Sequence, residues 1–239
     1  MSTPNITKWI GTGLLGLPLY GALTFYSSIN PQPDYNAHLE AWARYVTTDH
    51  YVLSHLFSSI LGVILAIFGV FALGAYLTAS RAGRMGLVAM VLTVLGSALL
   101  LVVLGVSTFA SPEQGQAILA GMNTMQLPET FTDTVQALTG LGYVLLGFVG
   151  NILLGVAVWR SGTLPRWAGA LWAAAHVLMY VGQGYAETVG AKSTPPTVLV
   201  GAVLVVISGA WMAYRVLSRP SATPQEAMGA TAAAQPRVR

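Results

Sequence analysis

Residues 85–109 read MGLVAMVLTVLGSALLLVVLGVSTF, a run without one charged side chain. At 1.5 Å per residue a helix over this run is about 37 Å long, more than the roughly 30 Å of hydrocarbon in a bilayer. Arg81 and Arg84 fence it on one side and Glu113 on the other. The same criterion finds five further stretches: Trp9 to Tyr26, Tyr51 to Thr78, Thr134 to Trp159, Arg166 to Ala186 and Pro196 to Leu217. Across all 239 residues, 54% are hydrophobic and 8% charged, where a soluble domain carries about a quarter charged residues. That excludes an ordinary soluble fold. The expectation is an all-α polytopic membrane protein, a bundle of six transmembrane helices over residues 1–219, with short surface helices in two long outer loops.

Helix punctuation supports these spans. Thr48 and Asp49 can cap the second, Asp133 and Gln136 make a D-x-x-Q box for the fourth, and Pro165 opens the fifth. The first span follows Lys8 like a secretory signal, but Phe25, Tyr26 and Asn30 stand where a cleavage site needs small residues, so it reads as a retained helix. Pro18 within it predicts a kink.

Charge sorts the connections into two groups. Lys8, Arg81, Arg84, Arg160, Arg166, Arg215, Arg219, Arg237 and Arg239 fall on one side with Glu226 as the sole anion; Asp34, Glu40, Asp49, Glu113, Glu129, Asp133 and Glu187 fall on the other with Arg44 and Lys192. Short cytoplasmic loops carry an excess of Lys and Arg, so the pattern predicts a cytoplasmic (inner) membrane location with both termini in the cytoplasm. The formal charge of +3 averages over this segregation and implies no nucleic-acid partner.

The cytoplasmic links are short and the first and second outer loops long. In the first, Tyr35, Leu39, Trp42 and Val46 share one helical face opposite Asn36, Glu40 and Arg44, so an amphipathic helix lies on the membrane surface or caps the bundle. In the second, Ser111-Pro112-Glu113-Gln114 has an N-cap, Pro at N1 and Gln at N3, predicting a separate short helix toward Met122, followed by an irregular stretch from Thr124 to Thr132. Residues 220–239, rich in Ala, Pro and Gln, read as a disordered cytoplasmic tail.

The chain has no cysteine, which removes disulfides, thiolate metal sites and Cys nucleophiles. No H-E-x-x-H, P-loop or G-x-S-x-G is present, and both lysines fall at span ends. No catalytic residue is assigned. Ionisable residues within a membrane are costly and mark candidate sites. His176 lies about 15 Å along the fifth span from Arg166. Trp172, His176, Tyr180, Gln183 and Glu187 are spaced to share one face, a polar stripe from midplane to outer surface, either walling a cavity or joining helices. His55 sits in the outer third of the second span, its face continued by Ser59, Gly62, Ala66 and Gly69, which points it at a close helix contact. Asn151 shares a face with Gly140, Gly147 and Gly155 and is expected to bond a neighbouring helix.

Three functions fit. The first is a non-enzymatic protein that binds a small apolar or amphipathic molecule, or a subunit beside other membrane subunits. The second is an electron-transfer subunit with quinone, or with haem b held by His55 and His176, although their depths differ by about 10 Å. The third is a proton-linked transporter working through His176, Gln183 and Glu187. His38, His50 and His55 could form an outer metal site, but a five-residue spacing points His50 and His55 about 140° apart.

Overall fold

The computed structural model describes residues 6–29, 32–122, 131–188 and 194–219, with side chains at 131–132 and 186–188 outside the description. The expected disordered tail lies outside the described residues, as does most of the irregular stretch 124–132. Among the described residues every regular element is a helix: α1 (Ile6–Leu14), α2 (Gly16–Ser28), α3 (Leu39–Val46), α4 (Asp49–Ser54), a π-helical turn (His55–Ile60), α5 (Leu61–Thr78), α6 (Gly83–Leu119), α7 (Phe131–Arg160), α8 (Arg166–Thr188) and α9 (Pro196–Leu217). Four helical stretches are long and apolar enough to cross a membrane: Asp49–Thr78, Gly83–Leu119, Asp133–Arg160 and Pro196–Leu217.

The break between α1 and α2 has its cause at Pro18, which has no N–H to offer the Leu14 carbonyl. There the ladder tightens, with Leu15 N–H bonding Thr12 O at 3.1 Å before Leu19 resumes the normal step to Leu15 O. The Thr48 hydroxyl accepts from Tyr51 N–H at 3.2 Å and caps α4. α8 starts directly after Pro165. α7 begins at Phe131, so Asp133 stands inside the first turn and the D-x-x-Q box does not mark the cap.

The second outer loop corrects the sequence reading. No separate helix starts at Ser111; α6 runs through Pro112 to Leu119, about 55 Å at 1.5 Å per residue. Its C-terminal end is held by α3. A Cβ on Gly115 would meet Val46 Cγ2 at 2.7 Å and the Ala43 carbonyl at 2.9 Å, so the two helices touch at backbone distance. Trp42, Ala43, Val46 and Tyr51 are buried there. Tyr35 packs edge-on against Trp42 at 4.7 Å and accepts from Gln114 Nε2 at 3.1 Å. The amphipathic helix therefore caps the bundle against α6.

The long helices pack in chain order, α2 on α5, α5 on α6, α6 on α7, α7 on α8 and α8 on α9, and α9 returns to α1 and α2 to close a ring. Small residues permit the close approaches. A Cβ on Gly96 would strike Gly147 Cα at 2.6 Å, one on Gly155 the Gly169 carbonyl at 2.7 Å, and one on Gly209 Pro18 at 2.9 Å. The core follows the ring's inner faces through Leu17, Val70, Leu73, Leu154, Trp172, Val205 and Met212. Outward, Phe68, Leu87, Val91, Leu138, Leu145 and Ile207 are exposed. At one end Arg219 bonds the Thr163 carbonyl at 2.7 Å, and Gly11 packs on Leu217. The α5–α6 turn, the α7–α8 turn, the end of α9 and the start of α1 thus gather with their cations at one end.

Candidate functional site

His176 is buried in the middle of the ring, 2% exposed. Its Nδ1 lies 2.9 Å from the Trp172 carbonyl. A carbonyl can only accept, so Nδ1 carries the proton and Nε2 presents a lone pair. The imidazole centroid lies 4.6 Å from the Trp172 ring, the planes tilted by 38°, and 6.4 Å from the Tyr180 ring. Tyr180 is hydrogen-bonded to Tyr143, and its hydroxyl rests on Gly147 where a Cβ would collide. Asn151 Nδ2 donates to the Gly147 carbonyl at 2.8 Å, and the Thr93 hydroxyl to Ala89 O at 2.8 Å.

These side chains enclose one cavity. Tyr20 of α2, Val63 of α5, Thr93 and Ser97 of α6, Tyr143 and Asn151 of α7, and Trp172, His176 and Tyr180 of α8 all contribute. Its volume is about 20 Å³, enough for a water molecule and far below the roughly 300–1,000 Å³ of small-molecule sites. Trp172 Nε1, in this wall, is buried without a hydrogen-bond partner. The cavity is small, with polar and apolar groups mixed in its wall.

The structure thus brings His176, Tyr180 and Asn151 together. Asn151 satisfies its own helix's carbonyl rather than bonding a neighbour, and Gly140 meets nothing within 4 Å. The rest of the stripe separates. Gln183 is exposed and absent from the cavity wall, and the Glu187 side chain lies outside the described residues. Tyr20, Thr93, Ser97 and Tyr143 were not singled out in the sequence because they come from three different helices, and only the ring closure brings them to one point.

His55 belongs elsewhere. Residues His55–Ile60 form a π-helical turn, a feature often found at functional sites. Several side chains there bond backbone carbonyls, while the His55 N–H keeps its own bond to Tyr51 O. Tyr51 O faces His55 Nδ1 at 3.0 Å and accepts the Ser54 hydroxyl at 2.9 Å, and Ser54 O accepts the Ser58 hydroxyl. Tyr51 itself is pinned to α6 by its hydroxyl, 3.0 Å from Ser107 O. His55 lines a pocket with Ser59 and with Ser27 of α2, while Gly69 further along packs on Leu17 of α2.

Two pockets flank the π-turn. One, about 190 Å³, is polar and lined by Ser27, Gln32, Tyr45, Ser54, His55, Ser58, Ser59 and Thr194. Its neighbour, about 260 Å³, is mainly apolar and contains Leu23, Tyr26, His50, Leu53 and Phe57, together with the same Ser54 and Ser58. Ser54 and Ser58 form a ridge between a polar and an apolar compartment at the end of the bundle opposite the cations.

His55 and His176 line different pockets, and the arrangement offers no shared position for an iron between them. His50 and His55 lie in different pockets too, and His38 precedes α3 on the surface. Among the described residues no group of three His, Asp or Glu is placed to hold a metal. No family model matches the chain, and no curated protein or solved structure matches it.

Proposed function

We propose that the chain is a six-span protein of the cytoplasmic membrane, with both termini inside, that binds a small amphipathic molecule at its outer end without transforming it chemically. The observation that carries this reading is the pair of pockets sharing the Ser54–Ser58 ridge. The polar compartment offers hydroxyls, one amide and the His55 ring to a headgroup; the apolar one offers Phe57, Leu53 and Leu23 to a hydrocarbon portion. Their combined size is that of a small-molecule site. Phe57 is 63% exposed, so on this reading a ligand enters laterally from the outer leaflet.

Two segments complete the six spans beside the four long apolar helices. α1 and α2 together make one span interrupted at Pro18, and α8 makes another, with Trp172, His176 and Tyr180 at the central cavity. The cations gathered at one end supply the orientation. The small cavity around His176 offers no room for haem or quinone, so the binding reading is favoured over electron transfer.

The test is native mass spectrometry of protein released from its own membrane in mild detergent. The expected result is a small amphiphile retained in stoichiometric amount and lost in both Ser59→Leu, which fills the polar compartment, and Phe57→Ala, which opens the apolar one. Equal retention by both variants overturns the reading. Stable retention of other polypeptides without any amphiphile assigns a subunit role instead, and a Soret band that shifts on reduction assigns a redox one.

A further inference from the structure

Arg81 and Arg219 both reach the turn between α7 and α8 at the basic end of the ring. The Arg219 guanidinium bonds the Thr163 carbonyl at 2.7 Å and lies over the Tyr76 ring, 5.4 Å from its centroid. The turn carrying Thr163 is tightly built. The Ser161 hydroxyl accepts from the N–H groups of Thr163 and Leu164, both at 3.2 Å, and Gly162 takes a positive φ of 69°. Arg81 reaches the same turn, its Nε 3.8 Å from where a Cβ on Gly162 would stand. Beneath these two cations the Tyr76 hydroxyl and the Thr163 hydroxyl are both buried without a hydrogen-bond partner. Among the described residues no Asp or Glu stands at this end.

Two guanidiniums and two orphaned hydroxyls from α5, the α5–α6 turn, the α7–α8 turn and the end of α9 converge with nothing anionic to receive them. An unmet buried donor costs roughly 1–3 kcal/mol, and paired guanidiniums match the geometry of phosphate oxygens. The depth is also informative. Trp159 and Trp167 pack edge-on at 5.2 Å, with Arg166 5.6 Å and 5.7 Å from the two rings, and both indoles are exposed. Exposed tryptophans mark the interfacial belt, the level of lipid phosphates.

We propose that Arg81 and Arg219, over Tyr76 and the 161–164 turn, form a site for a phosphate-bearing anion, the headgroup of an anionic phospholipid of the inner leaflet. The site rests on the membrane embedding proposed above, and is independent of the outer pockets. It differs from general attraction of a basic surface because it depends on two particular arginines; Arg84, one turn along α6, is the control.

The experiment is thermal unfolding of the full chain in a neutral detergent, with added phosphatidylglycerol, phosphatidylcholine or inorganic phosphate. Phosphatidylglycerol is expected to raise Tm by several degrees and phosphatidylcholine not to. Arg81→Gln should remove most of that rise and Arg84→Gln should leave it intact. Arg219→Gln loosens the Thr163 turn as well, so Arg219→Lys is read beside it and should retain only part of the rise. Equal protection by both lipids, or a rise that survives in Arg81→Gln, overturns the site. Equal protection by inorganic phosphate overturns the lipid as its source. Loss of an amphiphile at the outer pockets would leave these readings unchanged, so the two proposals fail separately.

Discussion

Gly147→Ala should destabilise the protein, and Tyr180→Phe should take back most of that cost. A methyl group on Gly147 is driven into the Tyr180 hydroxyl, with Tyr180 Cζ at 3.3 Å and Tyr143 Cδ2 at 3.6 Å behind it. α7 cannot withdraw, because on its other side the Gly147 backbone already abuts Gly96 of α6. Overpacking of this kind costs about 1–3 kcal/mol. Tyr180→Phe alone loses the bond to Tyr143, about 1 kcal/mol. In the double variant the colliding oxygen is gone and the nearest remaining carbon stands at 3.3 Å, a tight contact that small adjustments relieve. The two substitutions should therefore be non-additive by about 1–2 kcal/mol. For a chain of this length each kcal/mol moves the midpoint by roughly 2–4 °C. Melting followed by tryptophan fluorescence in one detergent should place the double variant near Tyr180→Phe alone. A double variant whose loss equals the sum of the single losses refutes the contact.

Further outcomes follow from other parts of the fold. Gly209→Ala puts a methyl 2.9 Å from both Leu17 Cβ and Pro18 N; backbone cannot yield as a side chain does, so a loss of about 1–3 kcal/mol is expected in the same melt, and an unchanged midpoint would mean that α9 and α2 do not meet there. The chain has no native cysteine, so Asn36→Cys and Ala79→Cys can be labelled singly with a membrane-impermeant maleimide. Asn36→Cys should react on intact cells and Ala79→Cys only after lysis, and the reverse pattern would invert the proposed orientation. On α3, Glu40 is hydrogen-bonded to Arg44, which lowers the Glu40 pKa below its ordinary value. A folded value below the unfolded one favours the fold above the unfolded pKa, and that contribution disappears as pH falls through the folded value. Because both side chains are exposed, the effect on melting should be too small to measure. A carboxylate NMR titration should show Glu40 moving up in Arg44→Gln, and no movement would remove the pair.

The sequence readings that survived depend on local chemistry. Thr48 caps because a hydroxyl before a helix can reach the N–H three residues on, and the Pro18 break follows from a missing N–H. Those that failed depend on neighbours. Ser111-Pro112 has the composition of a helix start, yet Gly115 lies on Val46 and Ala43 of α3, and that packing is associated with a continuous helix despite the lost bond at Pro112. The π-helical turn His55–Ile60 was not foreseen either, because a face drawn at 3.6 residues per turn does not anticipate a widened one.

The polar stripe of α8 shows the same division from another side. Spacing correctly puts Trp172, His176 and Tyr180 on one face, and all three wall the central cavity. Two residues further on, a Cβ at Gly182 would strike Thr197 of α9, so at that level the helix meets α9 at backbone distance and Gln183, a further 100° round, is exposed. A stripe in one helix is a property of that helix, but a cavity belongs to every helix that closes it. α8 is not among the four long apolar helices although it occupies a full place in the ring. Its Trp172, His176 and Tyr180 face a centre that Tyr20, Thr93, Ser97, Tyr143 and Asn151 complete.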